Sequence, residues 1–387
     1  MAKFDDLTAL LEQTVKNGPA GCGCAVAKDG KILYQGYFGY ADLEEKRPIT
    51  ENTVYRMYSL TKVIICTAAM MLFERGKFLL NEPIYEYIPE YRDMQVAVTE
   101  PNGNIRIEKA KNPILIKHAF TMTAGLPYHF GDSLSARKMK SIKDELSEKY
   151  GKYDIVTEAK AMAAVPLQFE PGTHWLYGYG HDLVAALIQL ISGKTVGQFL
   201  QEEIFEPLDM KDTGYQFRGD IESRMVSFYK RNEKGELIKI PGFEDRVHQP
   251  DSIYEAGGFG LYSTVIDYLK FSQMLANGGV YNGKRIIGRK TIDLMRTNHL
   301  DEVQLKDFRN SYLAGYGYGL GVRTLMSLSE GHSNGSIGEF GWTGAAGTYV
   351  SIDPSEGFSI VYMHQMQPNM EEYYHLRVRA VANGCLE

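Results

Sequence analysis

The segment best suited to chemistry is a serine followed three residues later by a lysine, at the start of an apolar run. No glycine or proline occurs between Ser59 and Gly76, which predicts a buried helix from Ser59 to Arg75. Side chains three residues apart lie on one face of a helix. A serine hydroxyl is a weak nucleophile without an adjacent base, and the amine of Lys62 can be that base. The pair therefore indicates nucleophilic catalysis through a covalent intermediate.

For Lys62 to accept a proton at neutral pH, the pKa of its ammonium must fall below the ordinary value. A helix N-terminus and an apolar wall both disfavour positive charge, so the position predicts a lowered pKa for Lys62. The same helix end favours negative charge near Ser59. The spacing alone is a weak signal, because Ser135 and Lys138 also match it in a polar segment. The apolar run after Lys62 is what distinguishes the first pair.

The segment around this pair resembles a known group of serine enzymes. Ser59-x-x-Lys62 and the apolar helix after it are similar to the first motif of penicillin-binding proteins and serine β-lactamases. The preceding Tyr55-Arg56 resembles the class C branch, and within it the family VIII carboxylesterases. The resemblance runs from about residue 21 to residue 364. It implies an α+β fold of the β-lactamase/transpeptidase type, with an antiparallel sheet flanked by helices and a mostly helical second lobe.

The resemblance also implies a catalytic tyrosine. Residues 170–182 contain the Pro-Gly-Thr and Trp-x-Tyr lead-in of the family, which assigns to Tyr177 the relay of protons between serine, lysine and leaving group. The family's asparagine two residues later is Tyr179 here. That asparagine contacts the acylamide side chain of β-lactams, so its replacement argues against efficient β-lactam turnover and makes Tyr179 a candidate substrate-binding residue. We expect Asp182 to be structural, as a helix N-cap before Leu183.

The third family motif is Lys-Thr-Gly on a strand, and here it is Trp342-Thr343-Gly344. In the family the lysine helps to hold a substrate carboxylate, which a tryptophan cannot do. Trp342 is expected to line an apolar acyl or alcohol pocket, with Thr343 and Gly344 as further substrate-binding positions. By the same resemblance the backbone N–H groups of Ser59 and Ala345 form the oxyanion hole. These departures favour small, uncharged esters over penicillins.

The pattern of predicted elements places strands at both ends of the chain. A hairpin is predicted at 21–38 around Asp29-Gly30, glycine-rich strands are predicted at 317–324, 336–341, 347–353 and 357–364, and the middle is mostly helical. We therefore expect a mixed α/β lobe from residues 1–80 and 251–387. A mostly helical lobe, residues 81–250, is inserted between these two segments. The two lobes together form one β-lactamase-like unit. Ligand sites favour the crevice between such lobes.

Composition narrows the class further. The 387 residues carry a net charge of −6 without a dense cluster of lysine and arginine, which argues against a nucleic-acid partner. The first thirteen residues lack the apolar run of a signal peptide, and no stretch is long and apolar enough to span a membrane, so we expect a cytoplasmic protein. The four cysteines show no metal-binding spacing. No metal or organic cofactor is implied, and the oligomeric state stays open.

Two other motifs offer rival chemistry. Residues 331–335 match the Gly-x-Ser-x-Gly elbow of α/β-hydrolases, with Ser333 at the centre. That elbow needs a strand before the serine and a helix after it, whereas the residues after Ser333 are strand-like. Residues 192–195 resemble half of a P-loop, but the first glycine is missing and a helix precedes them. We interpret both matches as coincidental.

The sequence thus predicts a serine hydrolase that acts on small carboxylic esters through an acyl-enzyme. A β-lactamase, a D-peptidase or amidase, and an acyltransferase share that intermediate and stay open as alternatives. A non-catalytic binder of peptidoglycan-like ligands is the alternative of a different class. Such a binder has no need of Ser59, Lys62 and Tyr177 together.

Overall fold

The structure, a computed structural model, describes residues 4–242, 245–309 and 312–386. Its α-helices are α1 (Asp5–Asn17), α2 (Thr61–Glu74), α3 (Ile116–Phe120), α4 (Leu134–Tyr150), α5 (Ile155–Met162), α6 (Gly180–Ser192), α7 (Val196–Leu200), α8 (Ile221–Arg224), α9 (Val265–Ala276), α10 (Arg289–Met295), α11 (Glu302–Phe308) and α12 (Glu371–Gly384). Its strands are β1 (Gly21–Lys28), β2 (Lys31–Asp42), β3 (Arg47–Pro48), β4 (Tyr55–Arg56), β5 (Gln95–Thr99), β6 (Ile105–Lys109), β7 (Phe228–Arg231), β8 (Leu237–Ile240), β9 (Tyr262–Ser263), β10 (Val280–Tyr281), β11 (Lys284–Arg285), β12 (Tyr316–Tyr318), β13 (Arg323–Leu325), β14 (Phe340–Thr343), β15 (Tyr349–Asp353), β16 (Phe358–His364) and β17 (Met366–Gln367).

An eight-stranded sheet forms the centre of the fold, in the order β12-β13-β14-β15-β16-β1-β2-β3. Its neighbouring strands all pair antiparallel. The first strands of the chain therefore lie beside the last ones, with Cys22 of β1 opposite His364 of β16. Both of these strands are buried along almost their whole length, because helices cover both faces of the sheet.

Helices α1 and α12 cover one face of the sheet, and α9 covers the other. The residues of β1 alternate between the two sides, as the pleat of a strand requires. Cys22, Cys24 and Val26 pack in the core shared with α1 and α12. Ala25 and Ala27 belong to the core on the side of α9. Both cysteines are free, buried thiols, so they contribute packing and no cross-link.

The predicted hairpin around Asp29-Gly30 is present and joins β1 to β2. Both turn residues have positive φ, 51° at Asp29 and 77° at Gly30. Such values are typical of the two-residue turns whose twist matches that of the flanking strands, and aspartate followed by glycine adopts them readily. Strand β2 continues to Asp42, beyond the predicted end of the hairpin, and there it pairs with β3.

Helix α2 is the central helix of the fold. A 3₁₀ turn, Tyr58–Leu60, leads into it, so the predicted helix at 59–75 is divided between two helical forms. All residues from Thr61 to Leu72 are buried. A helix that is apolar all round must lie inside the core, and this burial fixes the position of its first turn. Gly76 follows the helix with a φ of 69°, which terminates it as predicted.

Two of the predicted C-terminal strands have different boundaries from those expected. The segment predicted as one strand at 317–324 forms two strands, β12 and β13, because Gly319 and Gly321 allow a tight turn between them. The strand predicted at 336–341 lies further along the chain, as β14. The third motif therefore occupies the end of a central strand.

The middle of the chain contains helices α3 to α8 and also two hairpins, β5-β6 and β7-β8. The second hairpin is joined by β17 from the C-terminal part of the chain, which pairs parallel with β7. The lobe boundaries at residues 81 and 250 remain a proposal.

Among the described residues no single helix has the length and apolar character needed to cross a membrane. Helix α6 and the segment Val196–Phe205, which are bent relative to each other, meet that test only when they are taken together.

Candidate active site

Ser59 lies in the 3₁₀ turn that begins the central helix, and its side chain is partly exposed. The residue before it, Tyr58, has a φ of 47°, an uncommon value for a bulky side chain. The Tyr58 ring is buried and packs 6.0 Å from the ring of Phe228, which holds this sharp turn in place. The turn directs Ser59 out of the core at a helix end, where backbone N–H groups have no partner within the helix.

Lys62 is fully buried one turn later, and its ammonium faces the serine. The Nζ atom donates a hydrogen bond to Ser59 Oγ at 3.0 Å and another to the carbonyl oxygen of Gly258 at 2.6 Å. It also lies 4.7 Å from the centre of the Tyr177 ring. The three residues that the sequence selected from two motifs, Ser59, Lys62 and Tyr177, therefore lie together.

The sequence-based prediction of a lowered pKa for Lys62 is wrong. Burial lowers the pKa of Lys62, but the phenols of Tyr128 and Tyr177 and the carboxylate of Asp182 raise it by more, so that it lies above the ordinary value. Lys62 is therefore an ammonium at neutral pH. In this state it donates to Ser59 and stabilises negative charge close by. The error arose because Tyr128 and Asp182 are distant in sequence from the helix that carries Lys62.

Tyr177 is held between two tryptophans. The indole of Trp175 stacks against it at 6.0 Å and 22°, and the indole of Trp342 lies at 5.7 Å on the β14 side. Trp342 Nε1 donates a hydrogen bond of 3.0 Å to the Tyr177 hydroxyl oxygen. Sequence reasoning gave Trp342 only a place in the wall of a pocket, and it missed this contact. A donor at this position favours negative charge on the tyrosine oxygen.

Tyr128 is a further aromatic residue of the site that the sequence analysis did not identify. Its ring meets Tyr177 edge-on at 5.7 Å and Tyr179 at 4.8 Å, and Lys62 Nζ lies 5.9 Å from its centre. The segment before it passes very close to Gly178, where a Cβ atom would lie only 2.0 Å from Leu126 O. The glycine between the two motif tyrosines is the sequence signal that another backbone segment packs there.

Tyr179 is almost completely buried, and its hydroxyl shares a hydrogen bond with His129 Nδ1. Its ring forms part of the wall of a cavity of about 280 Å³. Phe259 lies in the same wall, directly after the residue that accepts the Lys62 hydrogen bond. The residue in the place of the family's asparagine thus lies in a cavity wall beside the site, and its contact with substrate remains a proposal.

Asp182 is not a helix N-cap, contrary to the expectation. Helix α6 begins at Gly180, and Asp182 lies fully buried in its first turn. Its Oδ1 accepts hydrogen bonds from the N–H groups of Gly257 at 3.2 Å and Gly258 at 3.4 Å. Burial and the nearby Glu158 carboxylate raise the pKa of Asp182 to about 6. The residue joins α6 to the loop whose carbonyl holds Lys62.

The third motif packs directly against the turn before the serine. Thr348 Oγ1 donates to the carbonyl oxygen of Met57 at 3.0 Å, and a Cβ atom on Gly344 would lie 2.4 Å from that same oxygen. Thr343 is partly exposed at the end of β14, and Ala345 is exposed. None of the described groups accepts a hydrogen bond from the Ala345 N–H. This donor is therefore available to a ligand beside the serine turn.

The rival motifs have the structures that the sequence suggested. Ser333 lies in a loop followed by strand β14, and its hydroxyl accepts the Gly335 N–H at 3.1 Å. The strand–serine–helix elbow is therefore absent there. Residues 192–195 form the turn between α6 and α7, with Gly193 in the left-handed conformation and Thr195 as the N-cap of α7. In the described ranges no group of three His, Cys, Asp or Glu residues is placed to hold a metal ion.

The family model described as Beta-lactamase matches residues 7–383. The chain therefore belongs to the beta-lactamase family, a family of serine hydrolases and acyltransferases, and the resemblance seen in the sequence motifs is confirmed. A Mycobacterium tuberculosis relative, "Protein Rv1367c", is 30% identical over 353 residues, which cover 88% of this chain and 84% of that protein. "Esterase EstB" of Burkholderia gladioli is 27% identical over 293 residues, covering 70% of each chain.

Solved structures confirm the predicted fold class. The structure titled "EstCE1, a hydrolase with promiscuous acyltransferase activity" superimposes with a TM-score of 0.82 at 22% identity, over 99% of this chain and 98% of that one. The fold is therefore of the β-lactamase/transpeptidase type, with an antiparallel sheet flanked by helices. At that identity the likeness concerns the fold alone.

Proposed function

We propose that this protein is a serine hydrolase that cleaves small carboxylic esters through an acyl-enzyme on Ser59. The observation that carries the proposal is the 3.0 Å hydrogen bond between Lys62 Nζ and Ser59 Oγ at a helix start, with the Tyr177 ring 4.7 Å from that ammonium. An esterase among the relatives, from Burkholderia gladioli, supports the choice of esters.

In the proposed first step Tyr177 reacts as a phenolate beside the Lys62 ammonium and takes the serine proton. Lys62 is an ammonium and Trp342 donates to the tyrosine oxygen, and both favour negative charge on that oxygen over negative charge elsewhere in the site. As Ser59 Oγ forms a bond to the ester carbonyl carbon, its proton moves to Tyr177. The tyrosine then returns the proton to the leaving alkoxide as the ester C–O bond breaks.

The negative charge on the carbonyl oxygen needs a separate partner. We assign this role to the N–H groups of Ser59 and Ala345, since one lies at a helix start and the other has no acceptor among the described groups. A preorganised donor of this kind is typically worth about 3 kcal/mol in the transition state. In the second half of the reaction water attacks the acyl carbonyl carbon and gives its proton to Tyr177. The bond from that carbon to Ser59 Oγ then breaks, and Tyr177 returns the proton to Ser59. An alcohol in place of water would give acyl transfer.

Two substitutions in the motifs favour esters over β-lactams. Tyr179 stands where the family has the asparagine that contacts the acylamide group, and Trp342 stands where it has the lysine that holds a carboxylate. Trp342 is buried and uses its one N–H on Tyr177, so it offers no donor to a substrate carboxylate. We therefore propose that nitrocefin is a poor substrate.

The test is hydrolysis of p-nitrophenyl butyrate by the wild type, Ser59→Ala and Ser333→Ala. We expect Ser59→Ala to lose at least about 10³-fold in kcat, since among the described residues Ser59 is the only serine or threonine whose hydroxyl accepts a hydrogen bond from Lys62. Ser333→Ala is the matched control and should keep wild-type activity. The Ser333 hydroxyl lies in a loop, where among the described groups it accepts a hydrogen bond from the Gly335 N–H alone. Equal activity in the wild type and Ser59→Ala would remove Ser59 from the mechanism. Rapid opening of nitrocefin with no ester cleavage would reverse the substrate assignment.

A further inference from the structure

The cavity of about 280 Å³ beside the site has a distinctive lining. Its walls include the rings of Tyr179, Tyr254 and Phe259, and the basic side chains that line it are Lys143, Lys152 and Arg246. The cavity adjoins the catalytic residues, because Tyr179 contacts Tyr128, which itself contacts Tyr177.

Two of the three cations in the cavity are neutralised by acids. Lys143 Nζ forms an ion pair of 2.7 Å with Glu158, which is fully buried behind the wall. Lys152 forms an ion pair with Asp251 on the rim. His129, which also lines the cavity, adds no charge at neutral pH, since burial and the Lys143 ammonium lower its pKa. The remaining charge in the lining belongs to Arg246.

Arg246 is exposed at the cavity rim, and among the described residues no carboxylate pairs with it. Within the described parts of the chain, no group accepts a hydrogen bond from its guanidinium and no carboxylate forms an ion pair with it. A guanidinium presents a planar fork of donors that matches a carboxylate. Within the described residues the cavity therefore combines aromatic walls with one cation, Arg246, that no carboxylate neutralises.

We propose that the acyl group of the substrate occupies this cavity and ends in a carboxylate that Arg246 binds. The substrates are then half-esters of dicarboxylic acids, with the scissile ester at Ser59. The inference rests on the proposed function, because it assigns the substrate class of the same site. It also revises the expectation of uncharged substrates. That expectation came from the loss of a lysine at the Trp342 position, whereas Arg246 supplies a cation from a different segment.

The experiment compares p-nitrophenyl half-esters of glutaric, adipic and suberic acid with the corresponding methyl p-nitrophenyl diesters. The two series share chain length and leaving group and differ only in the terminal charge. We expect the wild type to prefer the half-ester of at least one length by about tenfold in kcat/KM, mainly through KM. Added salt should reduce the preference, since it rests on a partly exposed charge.

Arg246→Gln should abolish this preference while leaving kcat/KM for the diesters within about twofold, because uncharged substrates make no ion pair. Arg377→Gln is the matched control, since it removes an exposed arginine in α12, on the sheet face covered by α1 and α12. It changes the net charge equally and should keep the preference. Equal values for half-esters and diesters in the wild type would overturn the proposal, as would an equal loss on both series in Arg246→Gln.

A failure of the ester chemistry itself is distinguishable. If the wild type cleaves neither series, the proposed function fails, and calorimetry on Ser59→Ala with monomethyl adipate and dimethyl adipate then tests the cavity alone. Binding of the monoanion that disappears in Ser59→Ala/Arg246→Gln would support the assignment of an anion subsite. The same affinity for the charged and the uncharged compound would overturn it.

Discussion

The hydrogen bond from the Trp342 indole to the Tyr177 oxygen changes how the proton transfer is understood. A lysine at that position of the third motif would bring a positive charge, whereas the indole brings a neutral, rigid donor. The positive charge of the site comes instead from Lys62, which is buried. The surrounding tyrosines and Asp182 raise the pKa of its ammonium above the ordinary value. Ser59, Lys62 and Tyr177 could be found from motifs. The roles of Trp342 and Tyr128 could not, because they depend on ring contacts between distant segments.

Replacing Trp342 by phenylalanine tests this role at the level of one atom. Trp342→Phe keeps an aromatic ring beside Tyr177 and removes the N–H donor. We expect kcat for p-nitrophenyl butyrate to fall by about tenfold with little change in KM, because the donor acts on the proton-accepting oxygen.

Trp175→Phe is the matched control for that substitution. The Trp175 indole also packs on Tyr177, but its buried Nε1 has no hydrogen-bond partner in the described part of the chain. Its loss should leave kcat within about threefold. If both variants lose the same activity, the ring contacts and not the hydrogen bond of Trp342 explain the effect.

At the scale of elements, the site depends on the end of β14 lying against the turn before α2. Helix α2 was predicted with nearly correct bounds, because a long apolar run without glycine or proline is stable as a buried helix. The strands after residue 316 were predicted less well, since glycines allow both strand and turn and only the sheet decides between them. The N-cap assigned to Asp182 failed for a related reason. The helix begins two residues earlier, and the carboxylate bonds to a loop 75 residues away in sequence.

The close packing at Gly344 can be tested by adding one methyl group. Gly344→Ala would place a Cβ atom 2.1 Å from Thr348 Oγ1 and 2.4 Å from Met57 O, so the strand end must move away from the serine turn. We expect a loss of about 1–3 kcal/mol in the free energy of unfolding, measured in urea, together with lower esterase activity.

Gly384→Ala provides the comparison for that variant. Gly384 ends α12 in open space, with no atom within 4 Å of an added Cβ. It should change stability by less than about 1 kcal/mol and leave activity unchanged. A Gly344→Ala protein as stable and as active as the wild type would show that the end of β14 accommodates a methyl group without moving.

At the scale of the whole molecule, the site is assembled from segments spread over most of the chain. Ser59 comes from the 3₁₀ turn before α2 and Lys62 from α2 itself, Tyr177 comes from the residues before α6, Gly258 from the loop before β9, and Trp342 from β14. The antiparallel sheet makes this possible, because it places the first and last strands side by side. The family resemblance predicted this architecture, and the solved structures confirm it. The sequence alone could not predict the cavity at Arg246, since its walls come from several separate segments.

The central claim, that Ser59 carries the acyl group, is tested most directly by trapping the intermediate. The protein is mixed with p-nitrophenyl butyrate, quenched in acid within milliseconds, digested and examined by mass spectrometry. We predict one butyryl group on the peptide that contains Ser59 and an initial burst of p-nitrophenol equal to the enzyme concentration, if deacylation is the slower step. A butyryl group on another residue, such as Ser333, or turnover with no labelled peptide under any quench time, would contradict the account.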